Sequence, residues 1–557
     1  MKKALFILLS ICFFKCENKS KKISAAVVSA RLEASRVGVE IMKKGGNAFD
    51  AMVATDLALA VCYPNAGNIG GGGFLVYRSK NGEIGSLDFR EKAPSNSHEK
   101  MFLNSQGNVI NNKSTLGGLS VGVPGTIAGL FEVHDKLCSM PFEDLIQPAI
   151  NLARNGFIVT ENQAKSFNSY QKDFISLNGE ETFYAGKFNK GDKIVNYNIA
   201  KTLEKIKLYG RDGFYKGEIA EKIIQTIKSS GGIMTLEDLE NYNAVWREPL
   251  SFKYKNLKIH SMGLPSSGGI CLAQILSMIE PYNISQYSPQ SNEAVQIIVE
   301  SERRSFADRS KFLGDPDFND VPVDLLLDKS YLKKRMSSFS FNNATPSRDL
   351  NPGNVIWQES DQTTHYSIID LEGNAVSVTT TLNGNYGSKL FVEEGGFFLN
   401  NEMDDFSIKP GEANMYGLVG GEINKVAPNK RMLSSMTPTI VEENGKLALI
   451  LGSPGGSSII TSVLQVILNV FEFNMSIDEA VNAPRFHHQW MPEYIDLEPN
   501  TFTTKKIEEL RAKGYNIDRK RDRLIGRVDA IRISSDFGII PSADNRGDDA
   551  EATITDK

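Results

Sequence analysis

Gln362-Thr363-Thr364-His365-Tyr366-Ser367, continuing into Ile368-Ile369-Asp370, lies deep inside a chain of 557 residues yet reads like the start of a protein. A threonine opens an alternating run from Thr363 to Asp370. A turn follows at Leu371-Glu372-Gly373, and a second run extends from Asn374 to Asn383. This pattern predicts a β-hairpin. With a three-residue loop and Gly373 in the left-handed position of a G1 bulge, Asp370 faces Asn374 and Thr363 falls opposite Thr381; a two-residue Glu-Gly turn places Leu382 there instead. In the first register Thr381 is within bonding reach of the Thr363 amine or hydroxyl, and Asn383 shares its face through the period-two alternation. Thr379-Thr380-Thr381 is also good β-branched strand material, whatever its chemistry.

A threonine hydroxyl is a poor nucleophile until a neighbouring group takes its proton. An N-terminal threonine carries that group itself, because its α-amine has an unperturbed pKa of about 8. Inside a chain the same nitrogen is an amide and no base. A cut before Thr363 would therefore create the base and expose the nucleophile together. The polar, Pro- and Asn-rich stretch from Ser340 to Asn354 reads as an exposed connector, where a chain can be severed without losing its core.

Two further stretches bear on this chemistry. Gly452-Ser453-Pro454-Gly455-Gly456-Ser457 follows the strand-like run from Leu447 and precedes a helix over Ile459 to Phe471. Glycines there turn backbone N–H groups toward a developing oxyanion, or simply make a tight strand-to-helix turn. Asn400-Asn401-Glu402-Met403-Asp404-Asp405-Phe406 concentrates carboxylates and amides, a suitable receiver for an ammonium group. Paired acids also suit a glycosidase or a calcium loop, but the alternating ligand spacing of an EF-hand is missing; a solvated acidic loop is the plain alternative. His365 shares the Thr363 strand face and reads as a packed strand histidine. His487-His488 has no ligand spacing with other Cys or His and reads as structural.

The net charge of −5, with no basic stripe of interleaved aromatics, argues against a nucleic-acid partner. Six histidines and five cysteines make a multi-metal site a poor fit. Lys2 and Lys3 precede the apolar run Ala4 to Phe14, long enough for a signal peptide and too short to span a bilayer. Cys16, followed by the polar stretch Glu17 to Lys22, is placed like the lipidated cysteine of a bacterial lipoprotein, although Phe13-Phe14-Lys15 is a poor lipobox. Export to the periplasm is the expectation, an uncleaved anchor the alternative. Cys62, Cys138 and Cys271 then remain; they allow at most one disulfide and read as small buried apolar residues.

Arg31 to Met42 and the Ala-rich stretch Asp50 to Val61 predict helices, the second apolar on most sides and so buried. Gly70-Gly71-Gly72-Gly73 lacks the surroundings of a phosphate loop and suits close backbone packing. Phe74 to Tyr77 and Ile84 to Phe89 read as paired strands that deliver Arg90. From Gly122 to about Ile279 the pattern is largely helical, and Glu302 to Arg309 is a charged helix face whose ion pairs hold helices together. Beyond Thr363 the texture is β and glycine-rich. Helices and strands mixed across both halves indicate helix layers around sheets.

The chain strongly resembles the γ-glutamyltranspeptidases, members of the N-terminal nucleophile hydrolase superfamily, over nearly all of its length after the signal. The matching stretches are Gly67-Asn68-Ile69-Gly70-Gly71-Gly72-Gly73-Phe74, Leu87-Asp88-Phe89-Arg90-Glu91, Gln362 through Ser367, Asn400 through Ser407, Leu433-Ser434-Ser435-Met436 and Gly452-Ser453-Pro454-Gly455-Gly456. The resemblance implies an α+β fold, a four-layer αββα sandwich built jointly by a large subunit (17–362) and a small one (363–557), behind a signal peptide over 1–16. It implies autoprocessing between Gln362 and Thr363, with the two subunits held as a heterodimer. Thr363 would be the nucleophile, Thr381 its support, and Gly455 and Gly456 the oxyanion-hole glycines. Arg90, Ser434 and Ser435 match the positions that hold a glutamyl α-carboxylate, and Asn383, Glu402 and Asp405 those around its α-amino group. Some family members carry Gln at the position of Glu402. Pro410 through Gly421, with Tyr416, resembles a lid loop. Glutathione and related γ-glutamyl amides would be donors, water or an amino acid or peptide the acceptor, and no cofactor is implied. A cephalosporin-acylase-like amidohydrolase shares fold and processing, and a noncatalytic exported binding protein is the rival from another class.

Overall fold

The computed structural model describes residues 22–350 and 363–556. The expected signal segment 1–16 with Cys16, and Gln362 on one side of the expected cut, lie outside the described residues. The opening hairpin forms as the strands Thr364–Ile369 and Ala375–Thr381, paired antiparallel with Thr364 opposite Thr380. Stepping outward by one pair sets Thr363 against Thr381, so the three-residue loop holds and the Leu382 register does not. The loop closes through Asp370 N to Asn374 O at 3.1 Å and Gly373 N to Asp370 O at 3.3 Å, with Gly373 at φ +90°, a left-handed conformation that favours glycine. The Asp370 carboxylate accepts the Glu372 and Asn374 N–H groups at 2.9 Å each and also the Ala48 N–H at 2.9 Å. It thereby seats the start of the helix Ala48–Cys62, where an acid suits the dipole.

Every residue of both hairpin strands is buried, so both faces of this ribbon need cover. It sits at the centre of a seven-stranded sheet, in the order Ala550–Thr555, Ile23–Ser29, Thr364–Ile369, Ala375–Thr381, Gly72–Arg78, Ile84–Asp88, Val245–Arg247. A second, six-stranded sheet runs Gly538–Ser542, Asp529–Ser534, Lys446–Gly452, Thr439–Glu443, Leu257–Ser261, Leu250–Tyr254. Ala26, Val28, Phe74 and Val76 of the first sheet pack against Ile440, Ile450 and Ile531 of the second. Tyr366, Ile368, Val376 and Val378 face the other way, into a helical layer containing Ala48–Cys62, all of whose residues are buried. The outer face of the second sheet is covered by the helices Gly268–Ile279, Asn292–Phe312 and Ser458–Phe471. The layers are α, β, β, α, as expected.

The inter-sheet face of the hairpin is polar but satisfied. Ser367 Oγ donates to Asp529 O at 3.1 Å and Ser377 Oγ to Leu451 O at 2.9 Å. His365 lies between Thr379 Oγ1 at 2.9 Å and Ser367 Oγ at 3.1 Å, and burial drives its pKa down to about 3. It is a neutral packing residue and no general base. The glycine run does its work through close approach: a Cβ on Gly71 would stand 2.0 Å from Thr381 O.

One expectation needs correction. The stretch read as largely helical up to Ile279 contains three strands between Val245 and Ser261; Leu250–Tyr254 is an edge strand whose Leu-Ser-Phe-Lys-Tyr alternation matches its alternating burial. The Glu302 to Arg309 run is buried within the helix Asn292–Phe312. The ion pairs themselves are present, Arg304 with Glu300 at 2.5 Å and Arg303 with Glu493 at 2.7 Å. Cys62, Cys138 and Cys271 are free thiols, and Cys138 is only half-buried.

Asp56, in the buried helix, accepts the Tyr366 hydroxyl at 2.8 Å, and burial pushes its carboxyl up to about 7. An acid raised on folding contributes stability that is complete below its unfolded pKa of about 4 and is lost as pH rises through the folded value. Asp56→Asn is therefore expected to flatten the decline of the melting temperature between about pH 4 and pH 7, read by thermal unfolding across that range. An unchanged slope contradicts the assignment.

Candidate active site

The hairpin's open end, the 3₁₀ turn Glu402–Asp405 and the turn before the helix Ser458–Phe471 converge on one pocket. It is lined by Thr363, Thr381, Asn383, Arg90, Glu402, Asp405, Ser434, Ser435 and Gly456, with Tyr416, Leu418, Met436 and Ile459. Thr363 Oγ1 and Thr381 Oγ1 stand 3.5 Å apart, and both residues are buried. Asn383 arrives by a different route from the one expected. The strand ends at Thr381, Asn383 turns with φ +69°, and its N–H donates to Thr381 Oγ1 at 2.7 Å. Its side-chain amide donates to Asn401 O at 3.0 Å.

Arg90 emerges from the strand Ile84–Asp88 into a cage. Its N–H donates to Asp88 Oδ1 at 2.9 Å and its carbonyl accepts the Tyr242 hydroxyl at 2.7 Å. Its guanidinium pairs with Glu402, and with Asp405 at 2.5 Å, while Glu91 lies 3.9 Å away. Burial alone would lower the Arg90 pKa, but Glu402, Asp405 and Glu91 outweigh it and hold the group cationic. Burial pushes Glu402 well above the usual carboxylate range and Glu91 up to about 8, with Arg90 opposing and the neighbouring acids adding to the rise. Three carboxyls around one guanidinium cannot all ionise cheaply in a dry site, so the cluster retains protons on the Glu91–Glu402 side. The acidic run is thus neither a solvated loop nor an unengaged receiver; it is half of a buried ion-pair cluster.

Gly455 and Gly456 stand at φ +128° and φ +51° immediately before the helix Ser458–Phe471. Gly456 faces the Thr363 pocket; Gly455 faces a neighbouring cleft of about 490 Å³ bordered by Tyr63, Asn385 and Arg527. The larger cleft holds no activated nucleophile, and the chemistry-bearing side chains converge on the smaller pocket. The loop from Pro410 to Gly421 folds over that pocket. Gly411 N reaches Gly420 O at 3.1 Å and Asn414 N reaches Leu418 O at 3.1 Å. Tyr416 lies so close to Gly456 that a Cβ there would stand 2.3 Å from its ring, and its hydroxyl donates to Asn383 O at 2.5 Å. Asp404 anchors the loop by accepting Met415 N at 2.8 Å, and Asp405 Oδ1 accepts the Asn414 side-chain amide at 2.9 Å. The space left inside is about 20 Å³, on the order of one water molecule. This is a closed site.

Every catalytic and substrate-binding residue expected from the sequence except Gly455 lines this pocket. Arg309 was missed: its guanidinium donates to Ser435 Oγ at 3.1 Å and to Ser267 Oγ at 2.8 Å, and no spacing signal in the Glu302 to Arg309 run points to Ser435, 126 residues away. Glu91, Asp404 and Asn414 were also assigned no role, although all three belong to quoted stretches or the lid.

The Gamma-glutamyltranspeptidase family model matches residues 34–554. The glutathione hydrolase proenzyme of Escherichia coli (strain K12) is 46% identical over 527 residues, covering 94% of this chain and 90% of that one. The crystal structure of Helicobacter pylori gamma-glutamyltranspeptidase is 41% identical with a TM-score of 0.57, covering 60% of this chain and 97% of that chain. A cephalosporin acylase from Bacillus halodurans superposes with a TM-score of 0.83 over 100% of both chains at 23% identity, which speaks to the fold alone.

Thr381→Val removes both the hydroxyl facing Thr363 and the acceptor of the Asn383 N–H. Labelling of Thr363 by an acylating probe is expected to slow by about tenfold or more, while Thr381→Ser stays near wild type. Equal rates for all three proteins contradict the pairing.

Proposed function

The chain belongs to the γ-glutamyltranspeptidase family, and from that premise we propose that it hydrolyses glutathione and related γ-glutamyl amides and transfers the γ-glutamyl group to amino acids or peptides. The observation that carries this is the meeting of the Thr363–Thr381 hydroxyl pair with a buried cluster of one guanidinium and several carboxyls. A cut between Gln362 and Thr363 frees the α-amine that takes the hydroxyl proton. Thr363 Oγ1 then bonds to the γ-carbonyl carbon, the C–N bond breaks, and the leaving amine carries away the proton. Water or an acceptor amine next attacks the ester and restores the hydroxyl. The Gly456 turn at the helix start supplies N–H groups for the oxyanion of each step.

The ion-pair cluster explains the preference for a glutamyl donor. A γ-glutamyl group brings one carboxylate and one ammonium. Its carboxylate takes Arg90 with Ser434 and Ser435, its ammonium takes Glu402 and Asp405 beside Asn383, and the pairs already present exchange partners one for one. A glutaryl group brings no ammonium and would leave Asp405 buried without a cation once Arg90 turned to the ligand, which counts against the acylase alternative. Ordered acyl-transfer machinery counts against a noncatalytic binder. Segments 17–362 and 363–557 stay together as large and small subunits, because strands from both build both sheets. We also propose export, on the strength of Lys2, Lys3 and the apolar run to Phe14, with Cys16 as a candidate lipid anchor.

Purified protein is expected to run as two bands, the smaller beginning at Thr363, and to release glutamate from a γ-glutamyl anilide. Thr363→Ala should stay one chain and release none. A Thr363→Ala protein that is cut and active contradicts the mechanism, and a cut wild type that releases glutaryl but not γ-glutamyl groups favours the acylase.

A further inference from the structure

The motif Phe486-His487-His488-Gln489-Trp490 lines no part of the pocket, yet its side chains form a directed hydrogen-bond chain from the oxyanion helix to the lid. Gln489 Nε2 donates to Tyr416 O at 3.0 Å and to Met491 O at 3.2 Å. Two carbonyls on that side fix the amide orientation, since a flipped amide would set oxygen against oxygen. Gln489 Oε1 must then accept, and His487 Nε2 stands 2.8 Å from it. This makes Nε2 the protonated nitrogen of His487 and Nδ1 the acceptor. Thr461 Oγ1, 2.8 Å from Nδ1, therefore donates to His487 rather than to Ser458 O at 3.1 Å. Ser457 Oγ, directly after Gly456, lies 3.5 Å from the same Nε2. All these side chains are buried, and burial drives the His487 pKa down to about 4, so the neutral ring and its tautomer persist at neutral pH.

We propose that Gln489 and His487 are positioning residues that clasp the lid to the oxyanion helix, holding Tyr416 over Gly456 while the acyl-enzyme reacts. The proposal rests on the acyl-transfer function above. Thr461 lies one turn inside the helix that Gly455 and Gly456 precede, and Tyr416 is the lid residue that closes on Gly456. The chain Thr461–His487–Gln489–Tyr416 spans the two walls of the site, and of its members Tyr416 alone lines the pocket. Gln489 replaces the water that an exposed Tyr416 carbonyl would bind when the lid is open, so its amide favours the closed form.

The test uses Gln489→Leu and the nearly isosteric Thr461→Val in the processed enzyme. Gln489→Leu is expected to raise hydrogen exchange across lid residues 410–421 by about tenfold and to lower kcat for glutathione hydrolysis by about tenfold, with KM within about threefold. Thr461→Val should move both in the same direction, Thr461→Ser should restore them, and the double variant should be no worse than Gln489→Leu, because both cut one chain. Unchanged lid exchange in both variants overturns the clasp whatever the turnover does, as do effects on kcat that multiply in the double variant. Should Gln489→Leu fail to fold, exchange in Thr461→Val decides alone. A wild type that releases no glutamate would defeat the proposed function, while lid exchange, which needs no substrate, would still decide the clasp.

Discussion

Cross-strand pairing in the Thr364–Ile369 and Ala375–Thr381 hairpin is the constraint on which the site depends. The two strands are buried on both faces, so a slip of one residue would turn Tyr366 and Ile368 out of the helical layer and push His365 and Ser367 into it. That cost fixes the register, and the register places Thr363 against Thr381 at the hairpin's open end. Asp370 enforces it from the closed end while seating the helix Ala48–Cys62. Gly71 lets a third strand come close enough for Thr381 O to lie where a side chain would otherwise stand. Thr363 is thus positioned by a ribbon buried on both faces.

Beside that ribbon the protein buries one guanidinium among three carboxyls. Arg90 is locked by Asp88 and Tyr242 through its own backbone and by Glu402 and Asp405 through its guanidinium. Breaking one partner of such a cluster strands the others without water. A zwitterion that replaces each contact with one of the same sign avoids this, whereas a neutral or singly charged ligand does not. On the proposed function, selectivity would arise as much from what the cluster rejects as from what it binds. The loop over the pocket completes the arrangement: Asp404 and Asp405, on the same short turn as Glu402, hold Met415 and Asn414. Acidic recognition and closure share one element.

Much of this was legible in the sequence where the determinants are local. The loop Leu371-Glu372-Gly373 and the period-two runs beside it specify the hairpin and narrow its register to two, because turn chemistry and alternation act between near neighbours; the pairing of Thr364 with Thr380 selects the three-residue loop. The layers followed from apolar patterns such as Asp50 to Val61. The pocket members were legible mainly through likeness to known family motifs; spacing alone left Thr381 as strand filling and Gly452 to Ser457 as a plain turn. What escaped depends on contacts between distant segments. Arg309 looks like any member of a charged run until tertiary packing brings it to Ser435. Asn383 sits where alternation suggests, but by way of a left-handed turn that no periodicity encodes. Gln489 meets Tyr416 across 73 residues, and two adjacent histidines beside it read as packing. The strands between Val245 and Ser261 are short, and each is held by a partner elsewhere in the fold, Val245–Arg247 by Ile84–Asp88 and Leu257–Ser261 by Thr439–Glu443.

The central claim is that the γ-glutamyl group passes through an ester on Thr363. Acid-quenching the processed enzyme during turnover of a γ-glutamyl donor, then mapping the modified peptide by mass spectrometry, tests it directly. A γ-glutamyl adduct confined to the peptide that begins at Thr363, lost on mild alkaline treatment as an ester is, is the predicted result. An adduct on any other residue, or full turnover with no adduct under conditions that trap esters, would contradict it.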